Sequence, residues 1–461
     1  MEFTQHFIDD FHQFEKNSEV ASIRYKNNRV WPIIRYAVFY YITSESYHYK
    51  KNVNANKVQY LKDILLSIKS LFYLFKKIDV IVIDGGRSTN IGGLRRNQTS
   101  LAFTQALSSE LSIVILDITG NVDKNSYPGI RVIDISKYVS LSRHLSIFFR
   151  KKDWNQCISN INKEVYKYYS KEIDLSTLFS NVYIHQKSIS IFINRIIRLH
   201  KLKAIFYSDN GSLSIPIKVA NDLGVPTIDY QHSIVSDLNI LYSHDVEFVQ
   251  RYRDYLSSYV MTYGSFWDQF YSKVYKTIPV GNIQQDFVVE ETHDIKKSKN
   301  CLTIVSGIIS RPVLIELALE ISRRIPDSKI FYKLRPEEYQ TWHDIYPSKI
   351  KDCKNIEFID SESKSLYYYL KKSEYIIGVN STVLIEALKL SKIIIFKTGW
   401  YREMEIFINS GMVLLASNSN DVISIINTNK KPDHAEDINS IFKSNTINNI
   451  RSKTQSLIAG E

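Results

Sequence analysis

Cysteine is nearly missing from this 461-residue chain: Cys157, Cys301 and Cys353 stand far apart, and no two share the short spacing of a zinc or redox motif. That excludes a disulfide-built secreted scaffold and predicts a cytoplasmic protein. Long apolar runs are missing too. No stretch reaches the roughly 18 uninterrupted apolar residues needed to span a bilayer, so any membrane contact is expected to be peripheral, on the cytoplasmic face of the inner membrane. The first residues, Met1-Glu2-Phe3-Thr4-Gln5-His6, lack the basic-then-apolar layout of a secretory signal. Neither zinc-finger spacing nor a cluster of arginines is present, and nucleic acid is not expected as a partner. No two aspartates flank a single residue in a D-x-D arrangement, so no metal site and no cofactor are predicted.

What is present is apolar material and positive charge. A hydrophobic share of 44% suffices for two or three cored domains at this length. The 59 basic and 48 acidic residues leave a net charge of +11. Such an excess favours acidic partners, whether phosphorylated ligands or an anionic membrane surface.

Residues from about 7 to 75 carry apolar side chains at helical spacing, and Pro32 suits the first turn of an apolar helix. Leu61 to Lys77 reads as a basic amphipathic helix. Packing on its own domain and lying on an anionic membrane are both open to such a helix. Strands then alternate with helices. Asp79–Asp84 runs into Gly85-Gly86-Arg87, and further strands are predicted over 112–116, 130–135, 204–207, 227–230, 258–263 and 277–281. After a charged linker near 292–299 the alternation restarts, with strands over 301–305, 329–333, 355–358, 375–378, 393–396 and 414–415. The pattern predicts an α/β protein with two Rossmann-like doubly wound domains facing a cleft and a helical N-terminal extension. The expected division is a helical segment 1–78, a first Rossmann-like domain 79–291, a second 300–426 and a polar tail 427–461.

In such sheets ligands collect beyond the carboxyl ends of the strands. There this sequence places Ser208-Asp209-Asn210, Gln231-His232-Ser233, Lys333-Leu334-Arg335-Pro336-Glu337-Glu338 and Gly378-Val379-Asn380-Ser381-Thr382 with Glu386 one turn on. An unperturbed imidazole changes charge near neutrality, so a histidine at position 232 suits a general base, or a structural hydrogen bond. Asp209 suits either a base or an ordinary turn. Lys333 and Arg335, two apart at a strand end, suit a diphosphate or a solvated loop. Ser381 and Thr382 are equally an N-cap or a phosphate-binding turn.

Taken in order, these stretches resemble bacterial surface-polysaccharide glycosyltransferases. Gly224-Val225-Pro226-Thr227, ending in Gln231-His232, is similar to their G-[IV]-P-T-x-x-x-Q-H-G signature. Tyr242, Thr262-Tyr263-Gly264-Ser265-Phe266-Trp267 and Val280-Gly281-Asn282 follow in the family's order. So do Tyr332-Lys333-Leu334-Arg335-Pro336-Glu337-Glu338 and Gly378-Val379-Asn380-Ser381-Thr382 with Glu386-Ala387; Trp31-Pro32 and Arg35 are similar as well. Two positions depart from the pattern. Arg335 replaces the histidine of the H-P motif, keeping a cation without titration near neutrality. Ser233 replaces the glycine after the histidine, adding a side chain where the family has backbone freedom.

The resemblance implies a GT-B fold related to the capsule, Kdo, sialyl and glycerophosphate transferases. It implies donor contacts at Ser381 and Thr382, on the phosphates, and at Glu386, on the ribose, with His232 as base in an acceptor-binding first domain. The neighbouring strand ends add Ser306, Gly307, Lys333, Arg335, Glu338 and Asn380 as candidate donor contacts, Asp84, Arg87 and Gln231 as candidate acceptor contacts, and Asp209 as an alternative base. The expected activity is metal-independent inverting transfer from a nucleotide-sugar donor to a lipid-linked or oligosaccharide acceptor of O-antigen or capsule synthesis. The alternatives are a nucleotide-sugar epimerase and a non-catalytic sugar-binding subunit of a polysaccharide assembly complex.

Overall fold

The computed structural model describes residues 5–43, 76–86, 88–148, 153–208, 210–271, 273–307, 309–361, 363–398, 401–434 and 438–459. Arg87, Asp209 and most of the expected basic helix, residues 61–75, lie outside them. The chain divides into two compact units. One comprises Phe3–Ile283 with Lys443–Glu461, and the other Gln284–Phe442.

The sheet of the first unit is built from β1 (Val80–Asp84), β2 (Ile113–Asp117), β3 (Arg131–Asp134), β4 (Ala204–Tyr207), β5 (Thr227–Tyr230), β6 (Tyr259–Thr262) and β7 (Lys276–Pro279). All neighbours pair in parallel, in the order β7-β6-β5-β4-β1-β2-β3. Every residue of β1, β2, β4 and β5 is buried, as expected of strands covered on both faces. Helix Ser176–His200 closes one face through Ile189, Phe192, Ile193 and Ile196, which meet Ile81, Val114 and Ile205 in one core. Each such side chain is stabilised by about 1.5–3 kcal/mol on leaving water.

The second unit repeats the plan with β8 (Cys301–Val305), β9 (Lys329–Lys333), β10 (Ile356–Ile359), β11 (Tyr375–Gly378), β12 (Lys392–Phe396) and β13 (Leu414–Ala416). Its order is β10-β9-β8-β11-β12-β13, again all parallel. In both sheets the strand order reverses beside the unit's first strand, between β1 and β4 and between β8 and β11. That reversal is the doubly wound switch point where helices leave to opposite faces. The α/β architecture is therefore the expected one.

Three features differ from the sequence expectation. The stretch 7–43 is not continuous helix: Gln5–Asn17 and Trp31–Thr43 are helical, and Arg24–Tyr25 pairs antiparallel with Asn28–Arg29 between them. Helix Ile283–Glu291, expected in the first domain, falls almost wholly in the second unit. The expected polar tail holds helix Thr446–Ala459, which returns to the first unit. Arg451 Nε donates to Ala106 O of helix Gln98–Leu107 at 2.8 Å, and Asn449 Nδ2 donates to Val280 O at 2.9 Å. Gly281 adopts φ 112°, and a Cβ there would lie 2.3 Å from Lys443 O, so the returning chain requires glycine at the V-G-N stretch.

Candidate active site

In the second unit, Ser306 and Gly307 follow β8, and Val379 to Thr382 follow Gly378 at the end of β11, so both loops stand at the switch point. Gly307 is closely approached: a Cβ would lie 2.5 Å from Ser310 Oγ. Gly378 is likewise covered, by Leu384 Cδ2 at 3.0 Å from such a Cβ. Asn380 and Ser381 are half-buried and Thr382 is exposed. Ser381 Oγ accepts from Val383 N at 3.4 Å and caps helix Thr382–Glu386. That helix has only five residues before it tightens to a 3-10 turn over Ala387–Lys389. Its dipole is correspondingly short, and hydroxyls and cations carry more of any anion binding here than the sequence alone suggests.

Glu386 is the last residue of this helix and is half-buried. Its carboxylate accepts from Tyr367 Oη at 2.7 Å, and Tyr367 Oη in turn accepts from Gln284 Nε2. Burial raises the Glu386 pKa, and the Tyr367 hydrogen bond opposes that rise only in part. A half-buried carboxylate that accepts from one hydroxyl retains acceptor capacity for further hydroxyl groups.

The end of β9 sorts its charges differently. Lys333 is half-buried: Nζ donates to Leu334 O at 2.8 Å and to Tyr339 Oη, 4.6 Å from the Tyr339 ring centroid. Arg335 begins the next loop with 46% of its side chain exposed, 3.4 Å from Glu337. Glu338 turns inward. Its carboxylate, 2% exposed, accepts from Arg311 Nε at 2.7 Å, Tyr346 Oη at 3.0 Å and the Arg335 backbone N at 2.9 Å. Ser306 Oγ and Tyr346 Oη lie 3.0 Å apart. Glu338 thus ties the loops after β8 and β9 to helix Arg311–Arg324, and its acceptor positions are already engaged.

In the first unit, Gln231 and His232 follow β5. Gln231 is fully buried; Oε1 accepts from Tyr263 N at 2.9 Å and Nε2 donates to Ser233 O at 2.9 Å. It joins the loops after β5 and β6 and fixes the turn carrying His232, which is half-buried. Ser233 is not among the residues with positive φ, so its backbone needs no glycine. Asp84, at the end of β1, is 1% exposed; it accepts from Gly86 N at 2.8 Å and Ser100 Oγ at 2.6 Å. Its pKa is raised by burial despite those bonds. Asp117 and Asp134 are in register with Asp84 across β2 and β3, and each accepts from the backbone of its own loop.

One buried contact joins β5 to the loop beyond it. Asp229, in β5, accepts from Tyr242 Oη at 2.9 Å and is fully buried. The family-like order of Tyr242 after the Q-H stretch was the signal for it. Among the described residues no group of three or more His, Cys, Asp and Glu side chains is placed to hold a metal ion, and no helix is long and apolar enough to cross a membrane.

Comparison with solved structures agrees with the fold. The UDP-GlcNAc 2-epimerase of Methanocaldococcus jannaschii aligns with a TM-score of 0.51 over 83% of this chain and 99% of its own, at 14% identity. A UGT transferase from Siraitia grosvenorii, solved in complex with UDP, aligns with a TM-score of 0.50 over 83% of this chain and 100% of its own, at 10% identity. The shared feature is the GT-B-like pair of Rossmann-like units. No protein-family model matches the sequence, and no curated protein matches it.

Proposed function

We propose that this chain is a glycosyltransferase that moves a sugar from a nucleotide-activated donor to a surface-polysaccharide acceptor of the O-antigen or capsule kind, with inversion and without a metal. The observation that carries the reading is positional. The residues of the family-like motifs fall, in family order, beyond the carboxyl ends of β5, β9 and β11 of two Rossmann-like units. The solved proteins of similar fold named above act on or bind UDP-sugars or UDP by their descriptions, which supports a nucleotide-sugar donor.

In this reading the second unit takes the donor. Arg335, Lys333 and the hydroxyls of Ser381 and Thr382 meet the diphosphate, and Glu386 accepts from the ribose hydroxyls. Charge that grows on the leaving phosphate during transfer is offset by these fixed donors, the work a metal does elsewhere. Ser306 and Gly307 let the backbone approach the donor, while Glu338 holds the two loops in register. His232 removes the proton from the acceptor hydroxyl as it attacks the anomeric carbon, a role suited to an imidazole. Gln231 fixes the turn of that histidine.

A nucleotide-sugar epimerase is the second reading, favoured by the fold shared with the archaeal 2-epimerase. The first test is a thermal-shift screen with CMP, CDP, UDP, GDP and dTDP. A nucleotide at a hundred times its dissociation constant raises stability by about 2.7 kcal/mol. At least one nucleoside phosphate is expected to raise the melting temperature, and Arg335→Ala to reduce that shift. No shift from any of the five at millimolar concentration refutes both enzyme readings.

A further inference from the structure

The loop that follows His232 is held at its far end by the N-terminal helices. Arg35, 5% exposed, lies in helix Trp31–Thr43, and Glu15, fully buried, lies in helix Gln5–Asn17. Arg35 Nε donates to Glu15 Oε1 at 2.7 Å and Nη2 to Oε2 at 3.0 Å. The rest of the guanidinium fork leaves the pair: Nη1 donates to Ile240 O at 2.5 Å and Nη2 to Ser243 O at 2.8 Å. Trp31 Nε1 donates to the same Glu15 oxygen at 2.7 Å, and the Phe11 ring lies 5.4 Å from the guanidinium carbon. His12 Nε2 donates to Ser243 O at 3.2 Å, and Lys16 pairs with Asp245 at 2.8 Å.

A buried ion pair made only for stability is a poor bargain, since apolar residues of like volume are often as stable. This one is distinguished by where its spare donors go. Arginine's fork holds two backbone carbonyls of one loop in fixed geometry, which a lysine cannot do. At the near end Gln231 bonds Tyr263 N and Ser233 O, and Asp229 takes the Tyr242 hydroxyl. Only the six residues Ile234–Asn239 separate the two anchorages. Within them Val235 is 1% exposed and therefore packed inward.

We infer that Arg35 and Glu15 are positioning residues: they fix the loop 233–245 and, through it, the orientation of His232. The inference rests on the transferase reading for its kinetic consequence, though not for its structural one. It also gives the similarity at Trp31, Pro32 and Arg35 a physical content, because those residues build the clamp.

The test uses the full-length chain with two variants. In Glu15→Leu/Arg35→Met the buried pair becomes apolar, so the fold is kept while the carbonyls of Ile240 and Ser243 lose the guanidinium donors, His12 Nε2 remaining on Ser243 O. Arg35→Lys keeps the charge beside Glu15 but loses the fork, and serves if the double variant fails to fold. Amide hydrogen exchange of Ile234–Ser243 is expected to accelerate at least 10-fold, with β1 and β4 unchanged. Turnover is expected to fall at least 10-fold with the donor KM unchanged. Unaltered exchange in the loop, or faster exchange with unaltered turnover, overturns the inference. If the unmodified protein transfers no sugar, the transferase reading has failed, and the loop exchange alone decides the clamp.

Discussion

Replacing Glu386 by glutamine is expected to move stability and nucleotide affinity in opposite directions. The half-buried carboxylate closes the short helix after β11, and its desolvation raises its pKa above the ordinary glutamate value. A carboxyl with a raised folded-state pKa binds its proton more tightly in the native chain than in the unfolded one. Between the unfolded and folded pKa values stability therefore falls as pH rises, and above them the ionised group remains a cost. The amide carries no charge, and its oxygen still accepts from Tyr367 Oη, which now stands 2.7 Å from the carboxylate. Glu386→Gln is thus expected to melt higher than the parent at pH 7.5, with the gap narrowing towards pH 4.5. Affinity goes the other way. Hydrogen bonds to a charged acceptor contribute about 1.5–3 kcal/mol and neutral ones about 0.5–1.5. Loss of roughly 1 kcal/mol per ribose hydroxyl weakens nucleotide binding about 5-fold for one contact and about 30-fold for two. Thermal unfolding at several pH values and calorimetric titration with the nucleotide found in the screen measure the two effects. A variant that melts lower, or binds nucleotide as tightly as the parent, refutes the assignment of Glu386.

Other perturbations have equally definite outcomes. Glu338→Ala removes the acceptor shared by Arg311 Nε, Tyr346 Oη and the Arg335 backbone N and is expected to cost about 2 kcal/mol or more, read from the urea midpoint of the second unit; a change below about 1 kcal/mol contradicts the network. Gly281→Ala places a Cβ 2.3 Å from Lys443 O at φ 112°, and is expected to destabilise the first unit by at least about 2 kcal/mol. An unchanged midpoint contradicts the close approach of the returning chain. His12 and His244 both have pKa values lowered by burial first and by the nearby Arg35 second. Their folded-state values lie below the unfolded one, so their neutral forms support the fold above about pH 6.5 and stability is lost as pH falls below it. Urea midpoints of the first unit that stay level between pH 7.5 and 5.5, with carboxylate effects subtracted through a His12→Asn variant, contradict that arrangement.

The strands were legible because fully buried parallel strands leave short apolar runs that end in polar turns; Ala204–Tyr207, Cys301–Val305 and Tyr375–Gly378 match their expected limits residue for residue. The doubly wound class followed from the same alternation, while the strand order that places the switch points came from the structure. Helix Thr446–Ala459 was not legible, because it buries only Thr446, Ile450 and Thr454 and its sequence reads as polar. The hairpin of Thr89–Ile91 and Leu94–Arg96 was hidden by its short, polar and mostly exposed strands. At the candidate site, position was readable and partnership was not. Nothing local to Glu338 announces Arg311, 27 residues away, and nothing local to Arg35 announces Ser243, 208 residues away. Together with Tyr346 and the Arg335 backbone N, that distant arginine engages the Glu338 carboxylate through three donors, while Glu386 accepts from Tyr367 alone among the bonds described.

The central claim is tested most directly by product analysis. The purified chain is incubated with UDP-, GDP-, dTDP- and CMP-sugars, with and without a lipid-diphosphate-linked saccharide. Free nucleotide and the fate of the sugar are followed together. The account predicts that one nucleotide sugar is consumed, that its sugar appears on the acceptor with inverted anomeric configuration, and that Arg335→Ala and His232→Ala each slow this at least 10-fold. Conversion of a nucleotide sugar to its epimer at equal rate without acceptor, or full turnover by His232→Ala, contradicts it.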